Sequence, residues 1–244
     1  MKIYQSFRYQ LWEQRYAFFV YYAVLVSMIL VSLAAMPFVP HEASGFVSTN
    51  GATAITAVFA FILSLCAFKE SFLINLQHGI SRRSQFLARL AVMGTTCAIM
   101  AVADEAYTLL VTALHTAFPD SFRSESLYEM VYASHGGPAI LPSIVFSFFF
   151  LLAVCSLGYL VTVFMYRLHK IGKIIFWAGT PTLFILFSSY LVSSPALEAK
   201  VLKFIIEAVR LCYGSLPRMA LTCTLLTGFF SILTWLLIRR AAVK

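Results

Sequence analysis

Six long apolar stretches alternate with shorter polar ones along the chain: Ala17–Met36, Ala52–Phe68, Leu90–Leu114, Ile140–Tyr166, Ile174–Val192 and Met219–Ile238. A helix rising 1.5 Å per residue crosses the roughly 30 Å of bilayer hydrocarbon with about 20 residues, so each stretch is a candidate span. In hydrocarbon the backbone groups must be paired within a helix or a closed barrel, and these runs lack the ~10-residue alternation of barrel strands. The pattern predicts an all-α polytopic membrane protein with six transmembrane helices, forming a single transmembrane domain over residues 1–244.

Composition agrees. Hydrophobic residues make up 61% of the chain and charged ones 11%, with a mean hydropathy of +0.85, whereas a soluble domain carries about 45–50% apolar and about 25% charged residues. Cys66, Cys97, Cys155, Cys212 and Cys223 lie mostly inside apolar runs and show no metal-ligand or redox spacing; they read as small apolar fillers, with no disulfide framework and no metal site. A net charge of +8 would raise nucleic acid as a partner of a soluble protein. In a membrane protein it bears on sidedness instead, and nucleic acid is not expected.

Six spans put both termini on one side. Lys2, Arg8 and Arg15, then Lys69, Arg82, Arg83 and Arg89, then Arg167, Lys170 and Lys173, and finally Arg239, Arg240 and Lys244 make 13 of the 18 basic residues on that side, which predicts cytoplasmic termini. Four of the other five fall between the last two spans. There Ser194 and Pro195 supply an N-cap and a first-turn proline, Gly214 a C-terminal glycine, and Leu197, Val201, Phe204, Ile205, Ala208 and Cys212 recur at helical spacing opposite Lys200, Lys203, Glu207 and Arg210. This predicts an external amphipathic helix within residues 193–218, lying in the interface or dipping partway in, with a plain connector as the alternative.

Residues 1–16 predict another amphipathic helix, flat on the inner leaflet: Tyr4, Phe7 and Leu11 form a stripe flanked by Trp12 and Tyr16, with Lys2, Arg8 and Arg15 for anionic headgroups. The small residues from Ser32 to Ala35 have the look of a signal-peptide end, but 20 apolar residues behind 16 polar and aromatic ones suit a retained span. The segment from His115 to Ala139 reads as an external loop with a short helix from Ser124 to Tyr132.

Residues 69–89 are too apolar for a solvated loop. Gly79 can end one helix and Ser81 cap the next, which predicts a tight helical corner. If both helices continue out of the bilayer, the corner stands about 10–15 Å beyond the hydrocarbon. Phe72, Leu73, Leu76, Ile80 and Phe86, rimmed by His78, Arg82 and Arg83, would then form an apolar protrusion suited to a partner's groove, or they would pack on the chain's own N-terminal helix.

Six spans, an amphipathic N-terminus and the corner Leu76-Gln77-His78-Gly79-Ile80-Ser81-Arg82-Arg83-Ser84-Gln85-Phe86 resemble the membrane subunits of ATP-binding-cassette exporters of the type 2 permease superfamily, and among them the small bacterial permeases for export of, or immunity to, peptide antibiotics. Where such corners read Asn-Gly followed by Ser-Arg-Arg and aromatics, this chain has His78 for the Asn and Gln85 for one aromatic. The resemblance implies a coupling corner of Phe72, Leu76, Gln77, His78, Gly79, Ile80, Ser81, Arg82 and Arg83 seated in a separate ATPase subunit. It also implies short re-entrant helices before the last span and residence in the bacterial cell membrane. The chain has no Gly-x-x-x-x-Gly-Lys-Ser/Thr loop, so it is not expected to be an enzyme. ATP and Mg would be bound by two copies of the partner ATPase, and a second permease, copy or paralogue, would complete the assembly. The expected cargo is a hydrophobic or amphipathic peptide, a lipid or a drug.

Asp104 and Glu105 fall near the middle of the third span, where an ionised carboxylate costs about 2.5–3.5 kcal/mol or more, so each is either protonated or facing water. Cys97, Ala101, Asp104, Thr108, Thr112 and His115 share one stripe, a polar seam readable as part of a substrate path, a contact to a partner chain, a proton relay or a structural hydrogen bond. An ion-coupled secondary transporter using Asp104 or Glu105 as proton carrier is the alternative function. A membrane enzyme is weakest, because the five histidines lie in five separate segments. Gly158 with Thr162, and Thr224 with Gly228, are small pairs that permit close helix approach, and Pro181 can kink the fifth span.

Overall fold

The computed structural model describes residues 2–35, 47–48, 52–117, 122–123, 126–132, 140–193 and 195–239. In chain order these form α1 (Lys2–Ala35), β1 (Val47–Ser48), α2 (Ala52–Cys66), α3 (Lys69–Gln77), α4 (Arg82–Ala117), β2 (Phe122–Arg123), α5 (Leu127–Tyr132), α6 (Ile140–Arg167), α7 (Lys170–Ser193), α8 (Pro195–Tyr213) and α9 (Leu216–Arg239). Among the described residues the protein is helical apart from a two-residue parallel bridge in which Val47 faces Phe122 and Ser48 faces Arg123. Six helical stretches are long and apolar enough to cross a membrane: α1, α2 continued by α3, α4, α6, α7 and α9.

The N-terminal segment departs from expectation. Residues 2–16 are no separate flat helix but the first turns of α1, one continuous helix of 34 residues and about 51 Å. Neither proline nor glycine occurs between Lys2 and Ala35, so nothing in the sequence breaks the backbone ladder there. Its inward stripe is also polar. Ser6, Gln10 and Gln14, at i, i+4 and i+8, are buried, while Tyr4, Trp12 and Tyr16 are exposed. The guanidinium of Arg15 lies 3.0 Å from the centre of the Trp12 ring, an outward aromatic–cationic group of the kind that anchors helices at an interface.

Helix α6 is central, packing on α2, α4 and α9, with α1 against the outer side of α4. The shared core holds Ala57 and Ala60 of α2, Met93, Cys97 and Met100 of α4, and Leu151, Cys155 and Tyr159 of α6. The α2–α6 approach depends on a missing side chain: a Cβ on Gly158 would stand 2.9 Å from the Phe61 carbonyl oxygen and 3.0 Å from Ser64 Cβ. One turn on, the Thr162 hydroxyl donates to the carbonyls of Leu65 and Gly158, both at 3.0 Å, so this small pair is an interface. Gly228 has open space around it, and the other small pair brings no second helix close among the described residues. Cys97 and Cys155, 58 residues apart, meet at 3.6 Å across α4 and α6 as free thiols, a proximity no sequence spacing reveals.

At the far end of α4, Ser126 and Glu129 cap each other's backbone amides at 3.1 and 3.0 Å. This reciprocal box starts α5 at Leu127, later than the expected Ser124, which lies outside the described residues. Pro195 opens α8 as expected, while its capping partner Ser194 and the loop residues up to Ala139 after Tyr132 lie outside the described residues. Gly214 follows α8 because a Cβ there would meet the Arg210 carbonyl oxygen at 2.6 Å. Helix α7 is the loosest span: none of its strongly apolar window is buried, and it rests chiefly on α8.

Replacing Gly158 by Ala is expected to destabilise the detergent-purified protein by about 1–3 kcal/mol, through backbone separation of α2 and α6, while Gly228→Ala leaves it near wild type. Thermal unfolding of both variants checks this; equal losses at the two positions would contradict the packing.

Candidate functional site

The corner is built from local chemistry. The Ile80 amide donates to the Asn75 carbonyl and the Gly79 amide to that of Leu76, both at 3.0 Å, closing a Schellman end on α3 with Gly79 in the left-handed region at φ +67°. The Ser81 hydroxyl then accepts from the Ser84 amide at 3.2 Å and starts α4. The turn therefore has one backbone solution, and Gly79 is required because L side chains avoid that φ.

The apolar residues of this corner do not protrude. Phe72, 1% exposed, stacks on Phe68 and meets Tyr166 at ring-centroid distances of 4.9 and 5.9 Å, joining the main core. Ile80 is buried, Leu76 is half-buried against that core, and Phe86 lies against Trp235 of α9 at 5.3 Å. Arg82 is half-buried, its Nη1 donating to the Arg239 carbonyl at 3.1 Å and so capping the end of α9. The apolar plug expected of these residues is thus corrected: their own chain covers them, because both corner helices turn toward α6 and α9. Gln77, His78, Gly79, Ser81 and Arg83 remain exposed and make a polar, basic tip. The Ser71–Glu13 hydrogen bond at 2.7 Å, the Phe72–Tyr166 contact and the Arg82–Arg239 bond bring all four basic segments to this one end of the bundle.

Asp104 and Glu105, adjacent in sequence, face different helices. Asp104 is 2% exposed; its Oδ1 accepts from the hydroxyls of Thr56 on α2 at 2.8 Å and Tyr22 on α1 at 3.2 Å, and Tyr21 in turn lies 2.7 Å from Thr56. Its Oδ2 is buried without a hydrogen-bond partner. Glu105, also buried, accepts from the Ser143 hydroxyl of α6 at 2.6 Å. The two acids therefore tie α4 to three neighbours. The expected seam ends at Asp104: Thr108 and Thr112 turn their hydroxyls back onto carbonyls of their own helix, at 3.0 and 2.8 Å, which satisfies them without a cavity.

A buried polar layer lies nearer the corner. Gln85 donates to the Ser71 carbonyl at 3.3 Å, Thr96 to Gln14 at 3.3 Å, and between them on α4 sits Arg89, 3% exposed, its guanidinium 5.4 Å from the Tyr159 ring centre. Counted as a loop cation, Arg89 lies inside the protein; the Ser6, Gln10, Gln14 repeat was the available signal. No group of three or more His, Cys, Asp or Glu able to hold a metal occurs among the described residues.

No family model, curated protein or solved structure matches the chain, which leaves this geometry to carry the functional reading.

Asp104→Asn keeps an acceptor for Thr56 and Tyr22 and is expected to unfold near the wild-type temperature, whereas Asp104→Leu removes both of those bonds, leaving Thr56 only Tyr21 and Tyr22 only the Met100 carbonyl, and loses about 1–3 kcal/mol. Thermal unfolding in detergent separates the two; a Leu variant as stable as wild type would remove Asp104 from the packing of α1, α2 and α4.

Proposed function

We propose that the chain is the permease half of an ATP-driven exporter, set in a bacterial cell membrane with both termini cytoplasmic. The observation that carries this reading is the corner between α3 and α4: a stiff, backbone-locked turn whose exposed tip is Gln77, His78, Gly79, Ser81 and Arg83, placed where four basic segments gather. A basic end of a membrane bundle belongs on the cytoplasmic side, which is where an ATPase would meet the tip. Two such ATPase subunits would bind ATP and Mg, chemistry for which this chain has no phosphate loop.

The tip acts as a lever. Docking is polar, through its exposed side chains, and Phe72 and Ile80 transmit displacement because they are packed into the bundle. Pushing α3 and α4 then tilts α2 and α6 with them, a rigid-body switch of packed elements. Helix α7, with its apolar window unburied, and the crevice of about 400 Å³ between α6, α7 and α9, lined by Leu160, Phe164, Phe176 and Leu237, support assembly with a second permease. An apolar lining suits a hydrophobic or amphipathic peptide, a lipid or a drug as cargo. A second reading, an ion-coupled transporter with Asp104 as proton carrier, draws on the unpartnered Oδ2 beside a chain of hydroxyls.

With the tagged protein extracted in mild detergent, a Walker-motif ATPase is expected to co-purify, and the double charge reversal His78→Glu, Arg83→Glu should reduce its recovery at least tenfold with membrane insertion unchanged. Retention of the ATPase by the double variant would overturn the corner assignment. Transport by the purified chain without ATP, abolished in Asp104→Asn, would favour the second reading instead.

A further inference from the structure

The crevice of about 400 Å³ between α6, α7 and α9 takes its lining from Leu160 and Phe164, from Phe176, and from Leu233 and Leu236 among others, and no polar residue is part of it. Helix α7 touches α6 where the Phe164 and Phe176 rings stand 6.0 Å apart, but it rests chiefly on α8, which leaves the gap open. Apolar walls with nothing between them forfeit their dispersion contacts, so a gap of this size in a bilayer takes up an apolar occupant. Its volume falls in the range of small-molecule ligand sites.

On all three helices the lining stripe runs into a cation. Arg167 follows Leu160 and Phe164 at i+7 and i+3, Arg239 follows Leu236 at i+3, and Lys173 precedes Phe176 by three residues. Each cation therefore lies one turn, about 5 Å, beyond the lining on the same helix face. The three share one end of the bundle. Only Leu168 and His169 separate α6 from α7, in a turn closed by the Leu168 amide on the Met165 carbonyl at 3.3 Å, which keeps Arg167 and Lys173 together. The Phe72–Tyr166 contact and the Arg82 bond to the Arg239 carbonyl bring the ends of α6 and α9 to the same corner. All three cations are exposed, and α6, α7 and α9 carry no Asp or Glu anywhere along their length. Glu13, at this end on α1, is bonded to Ser71.

We propose that this crevice holds an acyl chain of one anionic phospholipid of the bilayer, with Arg167, Lys173 and Arg239 meeting its phosphate. An apolar slot whose open end carries three cations has the polarity of such a lipid, and basic pockets between membrane helices take such headgroups. A zwitterionic lipid would bring its own ammonium to a rim whose helices offer it no acid, and a second copy of the chain would bring the same three cations. The exposed residues 183–187, farther along α7, stay open to the second permease of the proposed function. The lipid site stands whether or not the chain couples to an ATPase.

The test is thermal unfolding of the full-length protein in maltoside micelles doped with dioleoylphosphatidylglycerol or, at the same mole fraction, dioleoylphosphatidylcholine. Wild type is expected to gain a few degrees with the first, saturating as a bound ligand does, and little with the second. Native mass spectrometry from an equal mixture should retain one phosphatidylglycerol per chain. The triple variant Arg167→Gln, Lys173→Gln, Arg239→Gln needs at least tenfold more lipid for the same gain, while Lys2→Gln, Arg8→Gln, Arg15→Gln, which removes equal charge from the start of α1, responds as wild type. Leu236→Trp, which fills the crevice and leaves the cations, also loses the response; should it fail to fold, the two charge variants give the same decision. Equal stabilisation by both lipids, meaning acyl filling without headgroup recognition, overturns the proposal. So do an equal loss in both charge variants, meaning attraction by overall charge, and the same gain from glycerol phosphate alone, meaning a free-phosphate site. A lipid-free dimer that Leu236→Trp dissociates would put a second copy in the crevice and overturn it as well.

Discussion

The rest of the structure depends on one constraint: the polar side chains that α4 buries reach partners on neighbouring helices, even though Arg89 and one oxygen each of Gln85 and Asp104 stay unpaired. Between lipid and protein, apolar side chains distinguish poorly, because the surrounding tails are as apolar as leucine. Polar contacts therefore set the rotation of the helix. Gln85 finds Ser71 on α3, Thr96 finds Gln14 on α1, Asp104 finds Thr56 and Tyr22 on α2 and α1, and Glu105 finds Ser143 on α6. Turning α4 by one residue would break the Thr56, Tyr22 and Ser143 bonds together and leave both carboxyl groups without those partners inside the bundle. The close α2–α6 approach at Gly158 then holds α2 where Thr56 meets Asp104.

The spans were legible because the bilayer reads length and apolarity, and both are properties of a segment taken alone. The corner was legible for a related reason: Gly79 and Ser81 act through backbone groups within four residues, and both end up in the capping roles their chemistry dictates. What escaped are statements about neighbours. Phe72 and Ile80 are as apolar facing a partner as facing α6, and only the direction in which α3 turns after Phe68 tells the two apart. Arg89 reads as a loop cation until the parallel register of α1 and α4 encloses it. The continuity of α1 was open to inspection, since no glycine or proline interrupts it; the aromatic and basic residues before Ala17 drew attention to a surface role and away from the Ser6, Gln10, Gln14 stripe.

Covering the corner's apolar residues changes what the corner can do. An exposed apolar plug would bind a partner tightly but hang on the bundle by two helix ends. With Phe72 among Phe68, Tyr159 and Tyr166, and Arg82 on the last carbonyls of α9, the same residues make the corner part of the rigid body. Under the proposed function, docking strength and force transmission would thereby be separated: the polar tip would engage and the aromatic cluster convey. A polar contact is the more readily reversed of the two, which would suit the lever of the proposed function.

The bundle is unevenly consolidated. Helices α1, α2, α4, α6 and α9 share polar ties or close backbone approach, whereas α7 has its hydroxyls turned onto its own carbonyls at Thr180 and Thr182, places no side chain of its strongly apolar window in the interior, and meets α6 mainly through Phe176 and Phe164 at 6.0 Å. A helix satisfied within itself has no polar reason to keep one orientation, so its position is set by whatever packs on its outer face. Pro181 removes one backbone donor within the same helix and weakens its ladder there. The rigid part of the chain therefore surrounds α6 and includes the corner, and the part least tied to it is α7 with α8, which is where the second permease of the proposed function would meet the least resistance.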